Sequence, residues 1–560
     1  MSTAKRAREN RRQLGQFFTP HDVARRIVEA IPFDPSASVL EPSFGEGAFV
    51  FALLERAARA GADPRAWAAT RLAGAETDTR AYRAMRRRWR ASGLGEAPRA
   101  LRRIDFFRWA PREPERRFDL IVGNPPFGGT LDAAIEDELE RAYGRRHGLK
   151  IKKETYSFFI VRCVELLAEN GLLCFVCSDT LLTINTMRGL RNFLHASCDV
   201  EIERVPGAFE QTAQPLILLK ARKRAAGPGS VTVFGTAIPA HAIAATPNLS
   251  WRIDDDLARY FTGAFLGDLM VASSGMTIGN NELFLREIRG GRIVEPYAFR
   301  FEDEPVTLAK KRARARLGKL SPRSVAIVRE AEMRGDTERV VRWTKRARPR
   351  TIALPHPDYR PYNKADGASF YAPPRHAIYW RDGGAYVYTF KRNGNWYLHG
   401  AGGKPYFERE GITWALIANR FKTRYLPPGS ILDSGAPCAF LRPGVAEDEL
   451  YCILAWTLTR TANRILKSVL NHTRNIQSKD FERMPYPAWV APREKRAIVS
   501  LTRATVARAR AGERIDEESV IAELDRLFAR SEPGASYRAS GTSGRVVTGS
   551  PDSSIGATTL

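Results

Sequence analysis

The 560-residue sequence has few cysteines and few histidines. Six cysteines in so long a chain make no disulfide framework, which agrees with a reducing compartment. Cys174 and Cys177 have CxxC spacing, but they lie inside the apolar run GLLCFVCSD and no second pair follows. On a strand, a separation of three puts them on opposite faces, so we interpret both as core residues. The eight histidines form no HxxxH pattern, and we predict no metal site.

The sequence also lacks an apolar run long enough to cross a bilayer, and no apolar signal core follows its basic start. We therefore expect a cytoplasmic protein with no membrane partner. Acidic residues are the minority charge, with 62 Asp and Glu against 88 Lys and Arg and a formal charge of +26. This excess favours a polyanionic partner, nucleic acid first, because bound cations release counterions from phosphates. A compositional bias of the genome would give the same excess, so charge alone leaves both interpretations open.

What the sequence does contain is an alternation of strand-like and helical patterns from about residue 15 to 223. Apolar runs such as ASVLEP, RLAGAE and FDLIVGN are separated by stretches such as AFVFALLERAARA, which have helical spacing. This alternation predicts an α/β fold with a mostly parallel sheet covered on both faces. Ligands of such sheets bind beyond the carboxyl ends of the strands, and the unusual motifs of this half lie at those ends.

The segment KARKRAAGPGS (220–230) has the composition of a linker and predicts a domain boundary after residue 225. We expect a first domain at 1–225 and an irregular α+β domain at 226–490. A helical segment should follow at 491–530. The tail at 531–560 is rich in Ser, Gly and Thr with few apolar residues, which predicts disorder.

A candidate cofactor site follows the first three strands. LEPSFGEGAFV places Gly45 and Gly47 where the chain turns into a helix, which lets a backbone approach a ligand closely. Glu76 ends the second strand and is placed to accept from both hydroxyls of a ribose. In RIDFF, Asp105 can accept from an exocyclic adenine amine beside the ring of Phe106. These features suit an adenosine-containing cofactor, and S-adenosyl-L-methionine fits better than NAD because the third glycine of a dinucleotide motif is missing.

A second motif, Asn124-Pro125-Pro126-Phe127, ends the fourth strand. The prolines withdraw two N–H groups and leave a loop rich in acceptors. The Asn124 side-chain oxygen and the Pro125 carbonyl could bind both hydrogens of adenine N6 and orient its lone pair toward a methyl donor. Phe127 could stack on the base only after the base has left the duplex. Upstream, Thr19 in GQFFTP could supply a hydroxyl to the methionine end of the cofactor, or simply cap a helix.

In this order, the motifs resemble the gamma-class amino-methyltransferases of DNA, the TaqI-type adenine-N6 enzymes of restriction-modification systems. The resemblance covers about residues 13–222. It implies a Rossmann-like S-adenosylmethionine-dependent methyltransferase fold, followed by a target-recognition domain that binds DNA. The implied activity is site-specific adenine-N6 methylation of double-stranded DNA, as part of a restriction-modification or phage-defence system. A cognate restriction endonuclease or other defence-system subunits are the implied partners.

The resemblance and the motifs together assign a role to each candidate residue. The residues expected to contact the cofactor are Thr19, Glu41, Pro42, Ser43, Phe44, Gly45, Gly47, Glu76, Asp105, Phe106, Pro126 and Phe159, the last stacking on its adenine. Asn124 and Pro125 would hold the target amine, and Phe127 would stack on the flipped base. A second aromatic for the target is not evident near residues 219–221, and Phe209 is a weak substitute.

Three alternatives remain open at this stage. The NPPF loop also resembles loops of release-factor glutamine methyltransferases and of ribosomal RNA guanine methyltransferases. The large basic C-terminal half disfavours the first, and the order of motifs disfavours the second. The third alternative, a non-catalytic DNA-recognition subunit, is disfavoured because the catalytic motifs are intact.

The second half offers weaker signals. The runs at 273–285 and 450–487 resemble recurrent segments of the recognition domain, and we interpret the latter as a helix followed by a strand. Basic runs at 309–319 and 342–350 could hold phosphates or form an ordinary solvated face.

Overall fold

A computed structural model of the chain describes residues 19–109, 116–126, 133–206, 215–278, 281–305, 333–335, 337–389 and 401–530. Phe127, Phe209, the basic run at 309–319 and the predicted disordered tail lie outside these residues.

The first half is built around a nine-stranded sheet. The strands of this half are β1 (Val39–Glu41), β2 (Leu72–Glu76), β3 (Leu101–Arg103), β4 (Phe118–Gly123), β5 (Arg145–Arg146), β6 (Leu149–Lys150), β7 (Leu167–Ser178), β8 (Cys198–Arg204), β9 (Leu216–Lys223), β10 (Val231–Val233) and β11 (Thr236–Ala237). The strand order is β11-β10-β8-β9-β7-β4-β1-β2-β3, and β5 and β6 form a separate hairpin. The run β7-β4-β1-β2-β3 is parallel, whereas β9 is antiparallel to both of its neighbours. The prediction of an α/β fold with a mostly parallel sheet is confirmed.

Helices cover both faces of this sheet. They are α1 (His21–Glu29), α2 (Ala48–Arg59), α3 (Pro64–Arg71), α4 (Thr79–Ala91), α5 (Phe106–Trp109), α6 (Ala133–Tyr143), α7 (Thr155–Leu166), α8 (Arg188–Ser197) and α9 (Ala240–Ala245). Helices α1 to α4 pack in one core and α5, α7 and α8 in another. Cys174 belongs to the first core and Cys177 to the second, which confirms that they point to opposite faces of β7.

The sheet continues past the domain boundary that the sequence predicts at residue 225. Strand β10 pairs in parallel with β8, and β11 pairs with β10, so residues 231–237 extend the first sheet. Ile243 and Trp251 also pack in its core. The basic, glycine-rich segment 220–230 is therefore the end of β9 and a short bent loop, in which Gly227 has a φ of +76°. A bent loop and a linker share the same glycines and prolines, which is why composition does not separate them.

The second half contains two sheets and a group of helices. Its strands are β12 (Met270–Ser273), β13 (Leu285–Arg289), β14 (Arg292–Pro305), β15 (Thr337–Ala353), β16 (Tyr359–Asn363), β17 (His376–Tyr379), β18 (Gly411–Trp414), β19 (Thr423–Leu426), β20 (Ile431–Leu432) and β21 (Cys438–Leu441). One sheet has the order β12-β21-β18-β19, and the other β15-β14-β13-β17-β16-β20.

The helices of this half are α10 (Asp255–Ala258), α11 (Leu266–Leu269), α12 (Asn281–Phe284), α13 (Arg381–Thr389), α14 (Asp448–Leu458), α15 (Arg460–Arg464), α16 (Ser478–Glu482), α17 (Pro492–Arg510) and α18 (Glu517–Ala529). Helix α14 is buried on nearly all sides, because α17, α18 and β19 pack around it. Residues 491–530 therefore share a core with the preceding segment. The strand predicted before Pro487 is instead the short helix α16. No helix in the described ranges is long and apolar enough to span a membrane.

A buried polar seam joins the two halves. His472 Nε2 lies 3.0 Å from Asp179 Oδ2, directly after β7, and its Nδ1 lies 2.6 Å from Thr183 Oγ1. Asn248 donates to the carbonyl oxygens of Thr183 and Val469, at 2.6 and 2.9 Å. The segment around His472 is thus held against the carboxyl edge of the first sheet.

We expect His472→Ala to lower the free energy of unfolding by about 1–3 kcal/mol, because it removes a hydrogen-bond partner from buried polar groups. Chemical denaturation followed by tryptophan fluorescence measures this change. The matched control is His241→Ala. His241 also pairs with an aspartate, Asp255, at 3.0 Å, but its side chain is 75% exposed, so the expected loss is below about 1 kcal/mol. Equal losses in the two variants would contradict a stabilising seam.

Candidate active site

Four of the predicted site residues meet at one edge of the first sheet. Glu41 ends β1, Glu76 ends β2, Asp105 follows β3 and Asn124 follows β4. These four strands are adjacent and parallel in the order β4-β1-β2-β3, so their carboxyl ends lie side by side. The structure therefore forms a row of polar groups at the place where such sheets bind ligands.

The glycine turn after β1 is fixed against the neighbouring strand. The Phe44 N–H donates to the Ala75 carbonyl of β2 at 3.1 Å. Gly45 and Gly47 have φ values of +55° and +88°, in the left-handed region that favours glycine. A Cβ on Gly47 would lie 2.8 Å from Met85 Cγ, so this position also lacks space for a side chain. The turn thus brings backbone close to the polar row.

Glu76 is the most completely hydrogen-bonded acid of the row. Its side chain accepts from the Gly45 N–H through Oε2 at 2.8 Å and from the Asp78 N–H through Oε1 at 2.6 Å. Only 7% of the residue is exposed, and this burial raises the pKa of its carboxyl group despite the two backbone donors. Because each carboxylate oxygen has two lone pairs, both oxygens retain capacity for a ribose hydroxyl.

Glu41 is the most buried acid of the row, with 2% exposure. Burial, and then the charge of Glu76, raise the pKa of Glu41 well above its ordinary value of 4.5. Its Oε2 atom is buried and has no hydrogen-bond partner among the described residues. A buried acceptor of this kind is costly unless a ligand or water satisfies it.

Asp105 and two aromatic rings form the far end of the row. Asp105 Oδ1 accepts from the N–H groups of Phe107 and Arg108, at 2.9 and 3.2 Å, and so caps α5. The rings of Phe106 and Phe159 stack on each other with centroids 4.9 Å apart, and Phe107 meets Phe159 edge-on at 4.8 Å. A cofactor adenine would therefore lie against this cluster from outside, not between Phe106 and Phe159.

Asn124 connects the NPPF loop to both other motifs. Its Nδ2 donates to Thr19 Oγ1 at 3.1 Å, and its backbone carbonyl accepts from Ser43 Oγ at 3.3 Å. Pro125, the next residue, is buried, and Pro126 is half-buried. Three segments that are distant in sequence thus converge on Asn124, one through its side chain and one through its backbone carbonyl. Phe127 lies outside the described residues, so its predicted stacking stays a prediction.

One polar residue at this edge is missing from the sequence prediction. Asp179 directly follows β7, the strand next to β4, and it binds His472 of the second half. The rule that finds Glu41 and Asn124 also finds Asp179, because the sequence SD follows an apolar run of a parallel strand. Its partner His472 is not predictable, since 293 residues separate the two.

The donors and acceptors fit S-adenosyl-L-methionine. Glu76 can accept from a ribose, Asp105 can accept from an adenine amine, and the buried Glu41 Oε2 can accept from a cationic or hydroxyl group of the ligand. Within the described ranges, no group of three or more His, Cys, Asp and Glu side chains is arranged to hold a metal ion.

Known proteins resemble the half of the chain that contains this site. The model of the Eco57I restriction-modification methylase family matches residues 76–203. The Type II methyltransferase M.TthHB8I of Thermus thermophilus is 29% identical over 223 residues, which are 39% of this chain and 46% of that protein. The Type II methyltransferase M.BstVI of Geobacillus stearothermophilus is 30% identical over 203 residues, 32% of this chain and 36% of that protein. The chain thus spans less than half the length of these relatives.

The fold as a whole also has solved counterparts. A Type IIL restriction-modification enzyme, MmeI, in complex with DNA aligns with 97% of this chain and 76% of its own, with a TM-score of 0.54 and 11% identity. The parallel sheet and the row of acids at its edge are similar to those of Rossmann-like methyltransferases, and the donors and acceptors present fit S-adenosyl-L-methionine as the cofactor. Within that class, the resemblance to restriction-modification methyltransferases that the motifs indicate is confirmed.

Proposed function

We propose that the protein is a site-specific DNA methyltransferase that modifies the N6 amine of a flipped adenine. The observation that carries the proposal is the convergence of Thr19, Ser43 and Asn124 at the end of β4, beside the row of acids. In this proposal, the Asn124 amide and the Pro125 carbonyl lie beside the row of acids that holds the adenosine-containing cofactor. Restriction-modification relatives of the same half support DNA as the substrate.

Asn124 and Pro125 bind the N6 amine of the target adenine and orient it for methyl transfer. The lone pair of adenine N6 is delocalised into the ring, so the planar amine is a poor nucleophile. Two acceptors that bind both N6 hydrogens orient the amine and favour the geometry in which the lone pair is available. Thr19 and Ser43 hold Asn124 in place, which reduces the reorganisation needed when the amine arrives.

The acids position the cofactor. S-adenosyl-L-methionine, when bound, supplies an electrophilic methyl group. Glu76 would hold its ribose and Asp105 its adenine amine, while Phe159 would contact the adenine ring and Glu41 the methionine side of the site. The remaining contacts to the cofactor would come from Pro126, Thr19 and the backbone of residues 42–44.

Double-stranded DNA is the partner that the second half favours. The chain carries a formal charge of +26, which favours a polyanionic partner. The segment from α14 to α16 packs against the carboxyl edge of the first sheet through His472. Flipping a base costs unstacking and unpairing energy, which contacts between the second half and the duplex would offset. A cognate restriction endonuclease or other defence-system subunits remain the proposed protein partners.

Product identification tests the function. The purified protein is incubated with isotope-labelled S-adenosyl-L-methionine and unmethylated DNA, RNA or a translation release factor, and the product is identified by mass spectrometry. We expect N6-methyladenine in DNA and no label in the other two substrates. Methylglutamine or a modified RNA base would replace the proposal by one of the two other enzyme classes. A cofactor-bound protein that modifies nothing would favour a recognition subunit.

A further inference from the structure

The edge strand of the six-stranded sheet contains an unusual interruption. Strand β15 pairs with β14 along most of its length, but Glu295 pairs with Arg350 and Tyr297 with Lys345. Residues 346–349 therefore lie opposite a single residue of β14. Such bulges redirect side chains and disrupt the ladder locally. We call residues 345–350, with the sequence KRARPR, the basic ridge.

The ridge concentrates positive charge on an open surface. Lys345, Arg348 and Arg350 are exposed, and Arg346 is half-buried. Four of the six residues are cationic and none is acidic. In the described part of the chain, no carboxylate forms an ion pair with Lys345 or Arg348. At least these two cations are available to a partner.

A buried carboxylate underneath holds the other two cations. Glu295 is 3% exposed. Its Oε2 accepts from Arg350 Nε at 3.0 Å and from Arg346 Nη2 at 3.2 Å, and its Oε1 accepts from the Tyr359 hydroxyl. Arg346 Nε also donates to the Tyr297 carbonyl at 3.2 Å. Each arginine is thus anchored along one side, while 56% of the Arg350 side chain stays exposed.

A solvated edge alone does not account for this arrangement. Edge strands often carry Lys, Arg and Pro because these residues prevent pairing with another chain. That purpose needs no buried anion beneath the strand. Burying Glu295 costs desolvation energy, which its ordered donors and the nearby charge of Arg286 offset. The geometry fixes two guanidinium groups at a set position, and a rigid anionic partner benefits most from such preorganisation.

We propose that the basic ridge binds phosphates of double-stranded DNA as a sequence-independent clamp, with Glu295 as the residue that positions Arg346 and Arg350. The proposal rests on DNA being the substrate. Guanidinium groups suit phosphate because their planar N–H groups bind two oxygens at once. Phosphate contacts set the register of a protein on the duplex and carry no base information, so the ridge should act equally on all sequences.

Salt-dependent DNA binding tests the ridge. Fluorescence anisotropy measures Kd for duplexes of two unrelated sequences, and for an RNA duplex of the same length, between low and moderate salt. For Lys345→Ala/Arg348→Ala we expect weaker binding to both DNA sequences and a salt slope reduced by about 2, since each phosphate contact contributes about 0.9. The matched control is Arg493→Ala/Arg496→Ala, which removes the same charge from an exposed face of α17. This control should leave the slope nearly unchanged.

Glu295→Gln distinguishes the effect of positioning Arg346 and Arg350 on DNA affinity from the effect of net charge. Removing a negative charge would by itself tighten DNA binding, whereas a loosened ridge should bind several-fold more weakly. Thermal unfolding checks that Glu295→Gln is folded. If it is not, Lys345→Ala/Arg348→Ala still tests the ridge, because both substituted side chains are exposed. An unchanged salt slope, a loss confined to one DNA sequence, or tighter binding by Glu295→Gln would each overturn the clamp. Wild-type protein that binds only RNA would overturn the proposed DNA substrate as well.

Discussion

Asn124→Ala is expected to lower kcat for DNA methylation by about 10²- to 10³-fold, the usual cost of removing one preorganised polar group that acts in the transition state. The Kd for S-adenosyl-L-methionine should remain within about twofold, because the cofactor contacts proposed for Glu76 and Asp105 are unchanged. Single-turnover methylation with saturating DNA measures the first quantity, and calorimetric titration of the cofactor measures the second.

Two further variants show whether Asn124 acts through its orientation. Thr19→Val removes the oxygen that accepts from Asn124 Nδ2 at 3.1 Å, while Thr19→Ser keeps it. We expect the valine variant to lose activity and the serine variant to retain most of it. If Asn124→Ala weakened cofactor binding as much as it lowered kcat, Asn124 would be a cofactor contact and not the residue that holds the target amine.

Most of the site could be predicted because it follows from one topological rule. Glu41, Glu76, Asp105 and Asn124 each end or follow a strand of the same parallel run, and parallel strands end at a common edge. The order of the strand-like runs in the sequence therefore predicts that these four side chains lie near one another. The parallel sheet itself could also be predicted, because strands that alternate with helices along the chain form such a sheet.

The remaining features depend on contacts between distant segments. The bond between Asp179 and His472, and the anchoring of Arg346 by Glu295, involve residues far apart in sequence and have no local pattern. Likewise, the stacking of Phe106 on Phe159 arises from the packing of α5 against α7. The continuation of the first sheet past residue 225 could not be predicted, because a glycine-rich loop and a linker have the same composition. The local sequence predicts where strands end, but it does not predict which distant residues come into contact.

Glu41→Gln should have opposite effects on stability and on cofactor affinity. In the cofactor-free protein, the pKa of Glu41 is raised well above 4.5, so folding disfavours its ionised form. For an acid with a raised pKa, stability decreases as the pH rises from the unfolded pKa toward the folded one. Glutamine carries no charge to bury, so the variant should unfold at a higher temperature than wild type at pH 8. The two proteins should converge near pH 4.5.

The same substitution should weaken S-adenosyl-L-methionine binding by about 10- to 100-fold, the value of a hydrogen bond to a charged group. A ligand that is cationic at its methionine end favours ionised Glu41, so wild-type affinity should increase with pH through the raised pKa. The glutamine variant should lose this pH dependence. Thermal unfolding with and without cofactor, at several pH values, measures both effects in one experiment.

Glu46→Gln is the matched control, because Glu46 is an exposed carboxylate in the same turn. It should change neither the unfolding temperature nor the cofactor affinity. If Glu41→Gln instead destabilised the cofactor-free protein at pH 8, Glu41 would be a structural acceptor whose charge the fold already satisfies. If stability increased and affinity did not fall, its buried oxygen would serve something other than the cofactor. A gain in stability coupled to a loss of affinity is the result expected of a residue whose burial is maintained for ligand binding.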